Sequence, residues 1–596
     1  MNPTQKMLPR AEYTARIDAR TAEAAQHFQS FRRVGFVRLA FIALFIVVVV
    51  LVYFGFSFWW LLLPIVPFLA LGSVQQRFTE RRLRCERGAD IYRKGLARLN
   101  DDWAGKGSKG ERFIERSHPY AEDLDVFGKG SLFELISIAR TNAGEETLAT
   151  WLLTPALPDV LRARQSAIVE LSPKLDLRED LALLVEGIHT GSTARALTDW
   201  ISSPPWNISP IIVWTARALA VLALIGFAFW FAGFGWLPFL VTVLVGQTFV
   251  SSLRQQISSV TKSVDAPGKD LQLLVGVLGR LERERFSSPH LARLRAELDV
   301  KGSPPSRQIA KLKRLVELLD SARNMFFGPI AFVLLWKLQC AIAIELWRQQ
   351  SGPAVGRWLS AVGEFEALSS FAGYSFEHPN DPFPEFEENE VSFAGEDLGH
   401  PLIPESQNVR TDLQLSSTPS VLIVSGSNMS GKSTLLRTVG TNTVLALAGA
   451  PVRARRLRIS ALQIGASIRI QDSLQAGASK FYAEITRLRQ IVELTNGSLP
   501  VLFLLDEILH GTNSHDRKIG AEGVVRGLVE RGALGLVTTH DLSLTQIVEL
   551  LDQRAANVHF EDHLEGGKMT FDYLLRPGVL QKSNALELMR SVGLEI

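Results

Sequence analysis

The chain has 596 residues, which is too many for one hydrophobic core, so several domains are expected. A formal net charge of +3 is small for this length and does not by itself indicate a nucleic-acid-binding protein. The two cysteines, Cys85 and Cys340, cannot build a disulfide framework, and a reducing compartment is the simplest interpretation.

Two long apolar stretches predict transmembrane hairpins at residues 36–76 and 209–253. The first has no charged residue between Arg38 and Arg77, and the second has none from residue 218 to residue 253. One span needs roughly 20 apolar residues, so each stretch is long enough for two helices. The alternatives are buried core helices or, for the first stretch, a signal peptide, whose apolar core is normally shorter.

Basic residues flank both stretches, whereas the turns between the paired spans carry none. By the positive-inside rule both hairpins enter the membrane from the cytoplasm and return to it. The sequence therefore predicts a multi-pass protein of the inner (cytoplasmic) membrane whose C-terminal domain lies in the cytoplasm. The flanking residues are Arg32, Arg33, Arg38, Arg77, Arg81, Arg82, Arg84, Arg217, Arg254 and Lys262.

The remaining segments divide into a helical part and a C-terminal domain. We predict a cytoplasmic lead-in helix at 1–35, a helical core at 77–208 that continues at 254–377, an α/β domain at 378–575 and a helical tail at 576–596. A third apolar stretch, 325–344, contains Lys337 and is predicted as a buried or amphipathic helix, since charge inside a bilayer is costly. The basic residues between 280 and 314 could hold a DNA backbone, although a solvated helical face is the favoured interpretation.

Residues 421–434 read VLIVSGSNMSGKST, an apolar strand followed by a glycine loop and a helical pattern. This is the pattern of a phosphate-binding loop, in which backbone N–H groups face the phosphates and the helix start faces the anion. Lys432 supplies a cation for the β- and γ-phosphates, and Ser433 can offer its hydroxyl to Mg²⁺. The sequence thus predicts ATP and Mg²⁺ as ligands. The predicted nucleotide-binding residues are Gly426, Ser427, Asn428, Met429, Ser430, Gly431, Lys432, Ser433 and Thr434.

Two further strands end in residues suited to ATP hydrolysis. Val501–Leu505 leads into Asp506, predicted to hold Mg²⁺, and Glu507, predicted to be the general base. The strand at 534–537 leads to His540, which can sense the γ-phosphate. Lys432, Glu507 and His540 are therefore the predicted catalytic residues. Ser479 stands at a predicted helix start after Gly477, where an anion-binding end and an ordinary N-cap are equally compatible with the pattern.

Together these residues resemble the MutS family of DNA mismatch-repair ATPases. The resemblance rests on Gly-Ser-Asn-Met-Ser-Gly-Lys-Ser-Thr, on Asp506-Glu507-Ile508 with Gly511-Thr512, on Thr539-His540 and on the segment from Asp472 to Glu484. It implies an ABC/MutS-like P-loop NTPase domain joined to an all-α core, here carrying two transmembrane hairpins. It also implies that Ser479 reaches the γ-phosphate of a second subunit, so that the protein forms a homodimer through its ATPase domains.

The sequence also departs from the family. The N-terminal mismatch-reading domain with its Phe-x-Glu wedge has no counterpart, and the second hairpin interrupts the helical core. The resulting prediction is a membrane-anchored MutS-like ATPase that acts on mismatched or irregular DNA, with unidentified membrane or repair partners. The alternatives are an ABC-like ATP-driven membrane machine or an ATP-switched scaffold, neither of which binds DNA.

Overall fold

The computed structural model describes residues 3–185, 200–265, 268–298, 304–469, 480–565 and 568–580. Their contacts divide the chain into two units. The α/β unit comprises residues 1–137, 151–165 and 371–596, and the helical unit comprises 138–150 and 166–370. A helical N-terminal region followed by a C-terminal α/β domain agrees with the predicted fold class.

The first hairpin belongs to the α/β unit and consists of α1 (Pro3–Tyr53), a 3₁₀ turn (Phe58–Leu61) and α2 (Leu62–Leu99). The helix α1 runs through the predicted boundary at 35/36, so the lead-in and the first span form one helix. The two helices pack together: the rings of Tyr13 and Tyr92 lie 5.5 Å apart near the base. The turn contains Gly55 at a φ of +104°, a conformation that glycine adopts without strain.

The second hairpin belongs to the helical unit and consists of α7 (Pro210–Phe231) and α8 (Leu237–Ser252). The next helix, α9 (Arg254–Asp265), bends away from α8 by 68°. By length and composition α1, α2 and α7 can each cross a membrane, and α8 with the start of α9 is a fourth candidate within the described chain. Their apolar side chains are largely exposed in both hairpins.

The remaining helices of the N-terminal region lie between and after the two hairpins in the sequence. They are α3 (Leu132–Ile136), α4 (Asn142–Leu153), α5 (Pro158–Leu171), α6 (Leu175–Val185), α10 (Gly268–Arg283), α11 (Pro289–Leu298), α12 (Pro305–Ser321), α13 (Gly328–Val333) and α14 (Trp336–Glu377), with a 3₁₀ turn at Glu111–Phe113. The predicted single helix at 325–344 is thus divided into α13 and the start of α14. Leu335 interrupts it with a φ of +52°, which a helix cannot contain.

The second half of this stretch is amphipathic, as predicted. Leu338, Ala341 and Ile344 are fully buried on one face of α14, while Lys337 is exposed on the other. The first half differs from the prediction of a buried helix because Met325, Phe326 and Ile330 are exposed.

The α/β domain contains two sheets. The smaller has the strand order β1-β5-β2-β3, and the larger has the order β10-β9-β4-β8-β7-β6. All neighbouring strands of the larger sheet are parallel except β9 and β10. The strands are β1 (Glu385–Phe386), β2 (Phe393–Leu398), β3 (Thr411–Leu415), β4 (Val421–Ser425), β5 (Arg456–Ile459), β6 (Gln463–Ser467), β7 (Val501–Leu505), β8 (Leu534–Thr539), β9 (Ala555–Glu565) and β10 (Lys568–Pro577).

The larger sheet is the centre of the domain, because every residue of β4, β7 and β8 is buried. Continuous apolar runs of this kind are typical of parallel strands covered by helices on both faces. The helices are α15 (Lys432–Ala448), α16 (Lys480–Leu494), α17 (Ser514–Glu530) and α18 (Ile547–Leu551), with 3₁₀ turns at Glu405–Gln407, Leu542–Gln546 and Asp552–Arg554. Since β8 lies between β4 and β7, the residues that follow these three strands meet at one edge of the sheet.

Candidate nucleotide-binding site

The phosphate loop joins β4 to α15, in the strand–loop–helix arrangement that the sequence predicts. Gly431 precedes the helix with a φ of +105°, where a side chain would be strained. A Cβ on Gly426 would lie 2.7 Å from Ser430 Oγ, so the tight curl of the loop requires glycine there. The predicted loop residues are thereby gathered around the start of α15.

Lys432 is buried under the loop. Its ammonium group donates hydrogen bonds to the carbonyl oxygens of Gly426 at 2.9 Å and Ser427 at 2.7 Å. Burial lowers the pKa of Lys432, and the carboxylates of Glu507 and Asp506 partly oppose that shift. A buried cation of this kind is well placed to exchange carbonyl partners for phosphate oxygens.

The two predicted Mg²⁺ ligands contact each other. Ser433 Oγ donates a hydrogen bond to Asp506 Oδ2 at 2.6 Å, which joins the start of α15 to the end of β7. The other oxygen of Asp506 accepts a hydrogen bond from the hydroxyl of Thr538, near the end of β8. A carboxylate and a hydroxyl at one point are the oxygen ligands that Mg²⁺ prefers.

The predicted base and sensor are also adjacent. His540 Nδ1 lies 3.2 Å from Glu507 Oε1, and His510 Nε2 lies 3.9 Å from Glu507 Oε2. Thr538 Oγ1 accepts a hydrogen bond from the backbone N–H of Glu507 at 3.1 Å, which fixes the carboxylate at the strand end. A half-exposed carboxylate beside an imidazole can accept a proton from water.

A cavity of about 770 Å³ opens beside these groups. This volume falls in the range of small-molecule sites. Of the predicted residues that the structure describes, Asn428, Met429, Gly431, Lys432, Ser433, Thr434, Asp506 and Glu507 line it. Gly426, Ser427, Ser430 and His540 are not part of its wall.

The loop has buried hydroxyl groups that fit a bound phosphate chain, and the cavity beside it has an apolar lining. The hydroxyl oxygens of Ser427 and Ser430 are buried and have no hydrogen-bond partner in the described structure. Buried polar groups are normally paired, so such hydroxyls suit a ligand that supplies acceptors. Val409, Phe560 and Tyr573 also line the cavity and add apolar surface, as is usual in ligand pockets.

His400 also lines the cavity and is almost fully buried. Burial, with a smaller contribution from the charge of Arg437, lowers the pKa of His400 to about 4. Its Nδ1 accepts a hydrogen bond from the N–H of Leu402 at 3.1 Å. The wall of the pocket is therefore neutral here at physiological pH.

Ser479, predicted to act across the dimer, lies outside the described residues. The helix that follows, α16, begins at Lys480, and its Glu484 is buried and accepts a hydrogen bond from the N–H of Leu509. This contact fixes the start of α16 to the loop that follows Glu507. The helix that follows Ser479 in the sequence is therefore held close to the loop after Glu507.

Sequence reasoning missed several residues that support the site. Thr538 forms hydrogen bonds with both Asp506 and Glu507. The only sequence feature that could have indicated this role was a hydroxyl side chain near the end of an apolar strand. Asp123 accepts hydrogen bonds from the N–H groups of Ile468 and Arg469 at 2.8 and 2.7 Å. No local pattern marks Asp123, because its partners are more than 300 residues away.

The fold and the site define a class of protein: a P-loop-like α/β domain with hydroxyl and carboxylate side chains at neighbouring strand ends. Comparison with known proteins sharpens this class. Residues 422–595 match the family model of MutS domain V. The matched residues include the phosphate loop from Gly426 to Thr434. They also include Asp506, Glu507 and His540.

Relatives from the same family are similar to a part of the chain. The DNA mismatch repair protein MutS of Natronomonas pharaonis is 33% identical over 202 residues, which cover 33% of this chain and 23% of that protein. Endonuclease MutS2 of Thermus thermophilus is 32% identical over 196 residues, which cover 33% of this chain and 25% of that protein. The DNA mismatch repair protein MutS of Geobacillus kaustophilus is 30% identical over 260 residues, covering 42% and 28%.

The chain thus spans about a quarter of the length of the curated relatives it matches. The likenesses support the MutS family for the C-terminal domain, in agreement with the predicted resemblance. The matching family model begins at residue 422 and therefore includes neither hairpin.

Proposed function

We propose that this protein is a membrane-anchored ATPase with a MutS-type nucleotide domain, in which ATP binding and hydrolysis close and open a homodimer. The observation that supports this most directly is the meeting of Lys432, Ser433, Asp506 and Glu507 at one edge of the sheet. Four groups from one strand end and one helix start, each suited to a separate task in phosphoryl chemistry, rarely converge without a nucleotide to bind.

Each residue has a distinct task in this proposal. Lys432 binds the phosphate chain, with the hydroxyls of Ser427 and Ser430 as further donors. Ser433 and Asp506 hold Mg²⁺, which neutralises phosphate charge when it is bound. Glu507 accepts a proton from the attacking water, and His540, 3.2 Å away, orients that carboxylate and donates towards the γ-phosphate.

Dimerisation through the ATPase domains follows from the proposed role of Ser479 on a second subunit's ATP. The support is the attachment of α16 to the catalytic edge through Glu484 and Leu509. Nucleotide exchange at one site would then move the helix that presents Ser479 to the other.

Membrane anchorage is supported by the exposed apolar surfaces of both hairpins. Leu39, Leu69 and Phe231 are 65%, 65% and 80% exposed, and water is a poor solvent for such continuous surfaces. The base of the first hairpin is joined to the end of α14: Arg98 Nε donates to Glu377 Oε2 at 2.7 Å and Tyr13 Oη donates to Glu377 Oε1 at 3.1 Å. Movement of this hairpin is therefore coupled to the chain that enters the α/β domain.

DNA is the first candidate for the output, because the relatives include DNA mismatch repair proteins and an endonuclease of the MutS2 type. Three exposed basic residues of α12, namely Arg307, Lys311 and Arg314, have i, i+4, i+7 spacing and could track a phosphate backbone. This would be backbone-type binding or binding to irregular duplexes.

A second candidate, an ATP-driven membrane machine or ATP-switched scaffold without DNA, is favoured by the pairing of other basic residues. Arg280 contacts Asp180 and Glu284 at 2.9 and 2.7 Å, and Lys313 contacts Glu317 at 3.5 Å. Charges engaged in this way offer less to phosphate groups.

Binding to matched, mismatched and branched duplexes tests the first candidate. The full chain, purified in detergent, is titrated with each duplex with and without ATP across a salt series. Replacing Arg307, Lys311 and Arg314 together by Ala should reduce the salt slope by up to ~3 if all three contact phosphates. Arg357→Ala, an exposed arginine of α14, is the matched control.

The outcomes separate the two candidates. Salt-dependent, ATP-modulated preference for irregular duplexes supports action on DNA. Absence of binding at low salt, together with intact ATP hydrolysis, would contradict it and support the membrane machine or scaffold. Absence of both ATP binding and hydrolysis would contradict the ATPase itself.

A further inference from the structure

The segment from Asn324 to Trp336 exposes apolar side chains beside the second hairpin. Met325 and Phe326 are 82% and 84% exposed, and Ile330 and Phe332 are 53% and 55% exposed. No charged residue occurs between Arg323 and Lys337. These 13 residues, which include α13, are called the interfacial segment below.

The interfacial segment is fixed to α8, a candidate membrane helix. Gln247 Nε2 donates a hydrogen bond to the carbonyl of Phe332 at 2.8 Å. A Cβ on the neighbouring Gly246 would lie 3.1 Å from Leu335 Cδ2, so the glycine makes room for that side chain. Leu335 is the residue with φ of +52°, which separates α13 from α14 and turns its side chain against α8.

The position along α8 decides what surrounds the segment. Gly246 and Gln247 lie within two turns of Ser252, the last residue of α8, and the 68° bend into charged α9 follows at once. This is the end of the hairpin where flanking arginines place the membrane–cytoplasm boundary. Exposed side chains attached there face the boundary region of the bilayer if the hairpin spans it.

The composition of the segment suits a boundary and excludes a span. Thirteen uncharged residues are too few to cross, since a span needs roughly 20, and stretches of this length are typical of interfacial segments. Phe327 packs edge-on against Trp336 with ring centroids 5.3 Å apart, and the indole N–H of Trp336 donates to the carbonyl of Leu318 at 2.6 Å. Aromatic rings with one polar end satisfied are characteristic of the bilayer interface.

We infer that the interfacial segment inserts shallowly into the cytoplasmic leaflet, with exposed Lys337 at the level of anionic lipid headgroups. The occupant of this apolar surface is thus lipid, and its chemistry is acyl chain below and anionic phosphate above. This inference rests on the proposed membrane anchorage. It gives the helical core a second attachment to the bilayer, through a helix end and not through a span.

Nitroxide accessibility tests the inference in the full chain. The starting variant replaces Cys85 by Ser and Cys340 by Ala, and is reconstituted in vesicles of phosphatidylglycerol and phosphatidylcholine. A spin label is attached at Phe326→Cys, at Leu222→Cys on α7 or at Val169→Cys on α5. Val169 is a matched control because it is 57% exposed, apolar and in the same unit, but its neighbour is Glu170. Met325→Cys replaces Phe326→Cys if the latter does not fold.

The ratio of oxygen to nickel-chelate collision rates reports lipid or water around each label. We expect this ratio to be several-fold higher at Phe326 than at Val169, and highest at Leu222. Lys337→Glu should lower the ratio at Phe326 in anionic vesicles, whereas Arg357→Glu on the exposed face of α14 should leave it unchanged.

Different failures have different meanings. The inference is overturned if the label at Phe326 gives the same ratio as the label at Val169 while the label at Leu222 reports lipid. It is also overturned if a second copy or another protein shields the label at Phe326 from both reagents. An unchanged ratio in Lys337→Glu overturns the headgroup contact. A water-exposed label at Leu222 overturns the proposed membrane anchorage, and the inference with it.

Discussion

The edge of the large sheet and the two hairpins differ in the interactions on which they depend. At the sheet edge, polar side chains are held within hydrogen-bond distance: Ser433 and Asp506 at 2.6 Å, His540 and Glu507 at 3.2 Å. Along the hairpins, large apolar side chains such as Leu63 and Leu244 are exposed and contribute no polar contact to the fold. The first region depends on single atoms, whereas the second depends on its total apolar surface.

The two regions should therefore respond differently to mutation. One atom removed at the sheet edge should change ATP binding or hydrolysis by orders of magnitude, because a desolvated polar partner is left unpaired. One aliphatic replacement on an exposed hairpin face should change little. The positions that matter in the hairpins are those where a polar group joins them to the rest of the chain.

Lys432→Ala should have the largest effect and sharpens this contrast. Two charge-assisted contacts to phosphate oxygens, each worth ~1.5–3 kcal/mol, correspond to a loss of roughly 10²–10⁴ in ATP affinity, and hydrolysis is lost with binding. Calorimetric titration of ATP measures the affinity. Lys518→Ala, an exposed lysine of α17 that contacts Gln546, should bind ATP normally. Unimpaired binding by Lys432→Ala would contradict its assignment to the phosphates.

Glu507→Gln separates binding from chemistry at the same edge. The amide keeps the shape of the carboxylate but cannot take a proton, so turnover should fall by about 10²–10⁴-fold while ATP affinity is retained. Steady-state phosphate release and nucleotide titration provide the two measurements. Glu522→Gln, on the partly exposed side of α17, serves as the control. Hydrolysis at the normal rate would show that Glu507 is not the base.

The two regions also differ in how much the sequence reveals. The residues from Gly426 to Thr434, with Asp506 and Glu507, are adjacent to apolar strands, and parallel strands bring their carboxyl ends to one edge. Local patterns therefore predicted which residues meet. The hairpins were visible for a similar reason, since a run of uncharged residues is a local property.

Other contacts join residues that are distant in sequence and have no pattern. Asp123 holds the N–H groups of Ile468 and Arg469, and Arg98 binds Glu377 across 279 positions. An aspartate or glutamate in a polar segment is usually solvated, so nothing in the sequence distinguishes these two. The break at Leu335 was equally hidden, because a positive φ at a leucine is set by packing against Gly246 and not by propensity.

Glu377→Ala tests whether the base of the first hairpin behaves like the sheet edge. The Glu377 side chain is 1% exposed and that of Arg98 is 15% exposed, so removing the carboxylate leaves a buried cation unpaired. The free energy of unfolding of the α/β unit should fall by ~3–5 kcal/mol. Chemical denaturation in detergent measures this, with Glu86→Ala in the exposed Arg82 pair as the control, expected to change stability by less than ~0.5 kcal/mol.

A double variant sharpens the same test. Arg98→Met combined with Glu377→Leu removes both charges and keeps apolar volume, so it should recover much of the lost stability. Equal loss in the single and double variants would show that packing, and not the ion pair, holds the joint.

The smallest expected effect is that of replacing His400, and it concerns the dependence of stability on pH. Its pKa is lowered to about 4, so the folded α/β unit prefers the neutral imidazole while the unfolded chain takes up a proton near pH 6.5. Its contribution is fully present above pH 6.5 and is lost as the pH falls from there towards 4, a decline of roughly 3 kcal/mol. His400→Asn keeps an acceptor for the Leu402 N–H but cannot titrate, and should flatten the decline. Denaturation at pH 7.5 and pH 4.5 measures it, with exposed His515→Asn as the control. A wild-type slope in His400→Asn would place the acid sensitivity at another titratable group.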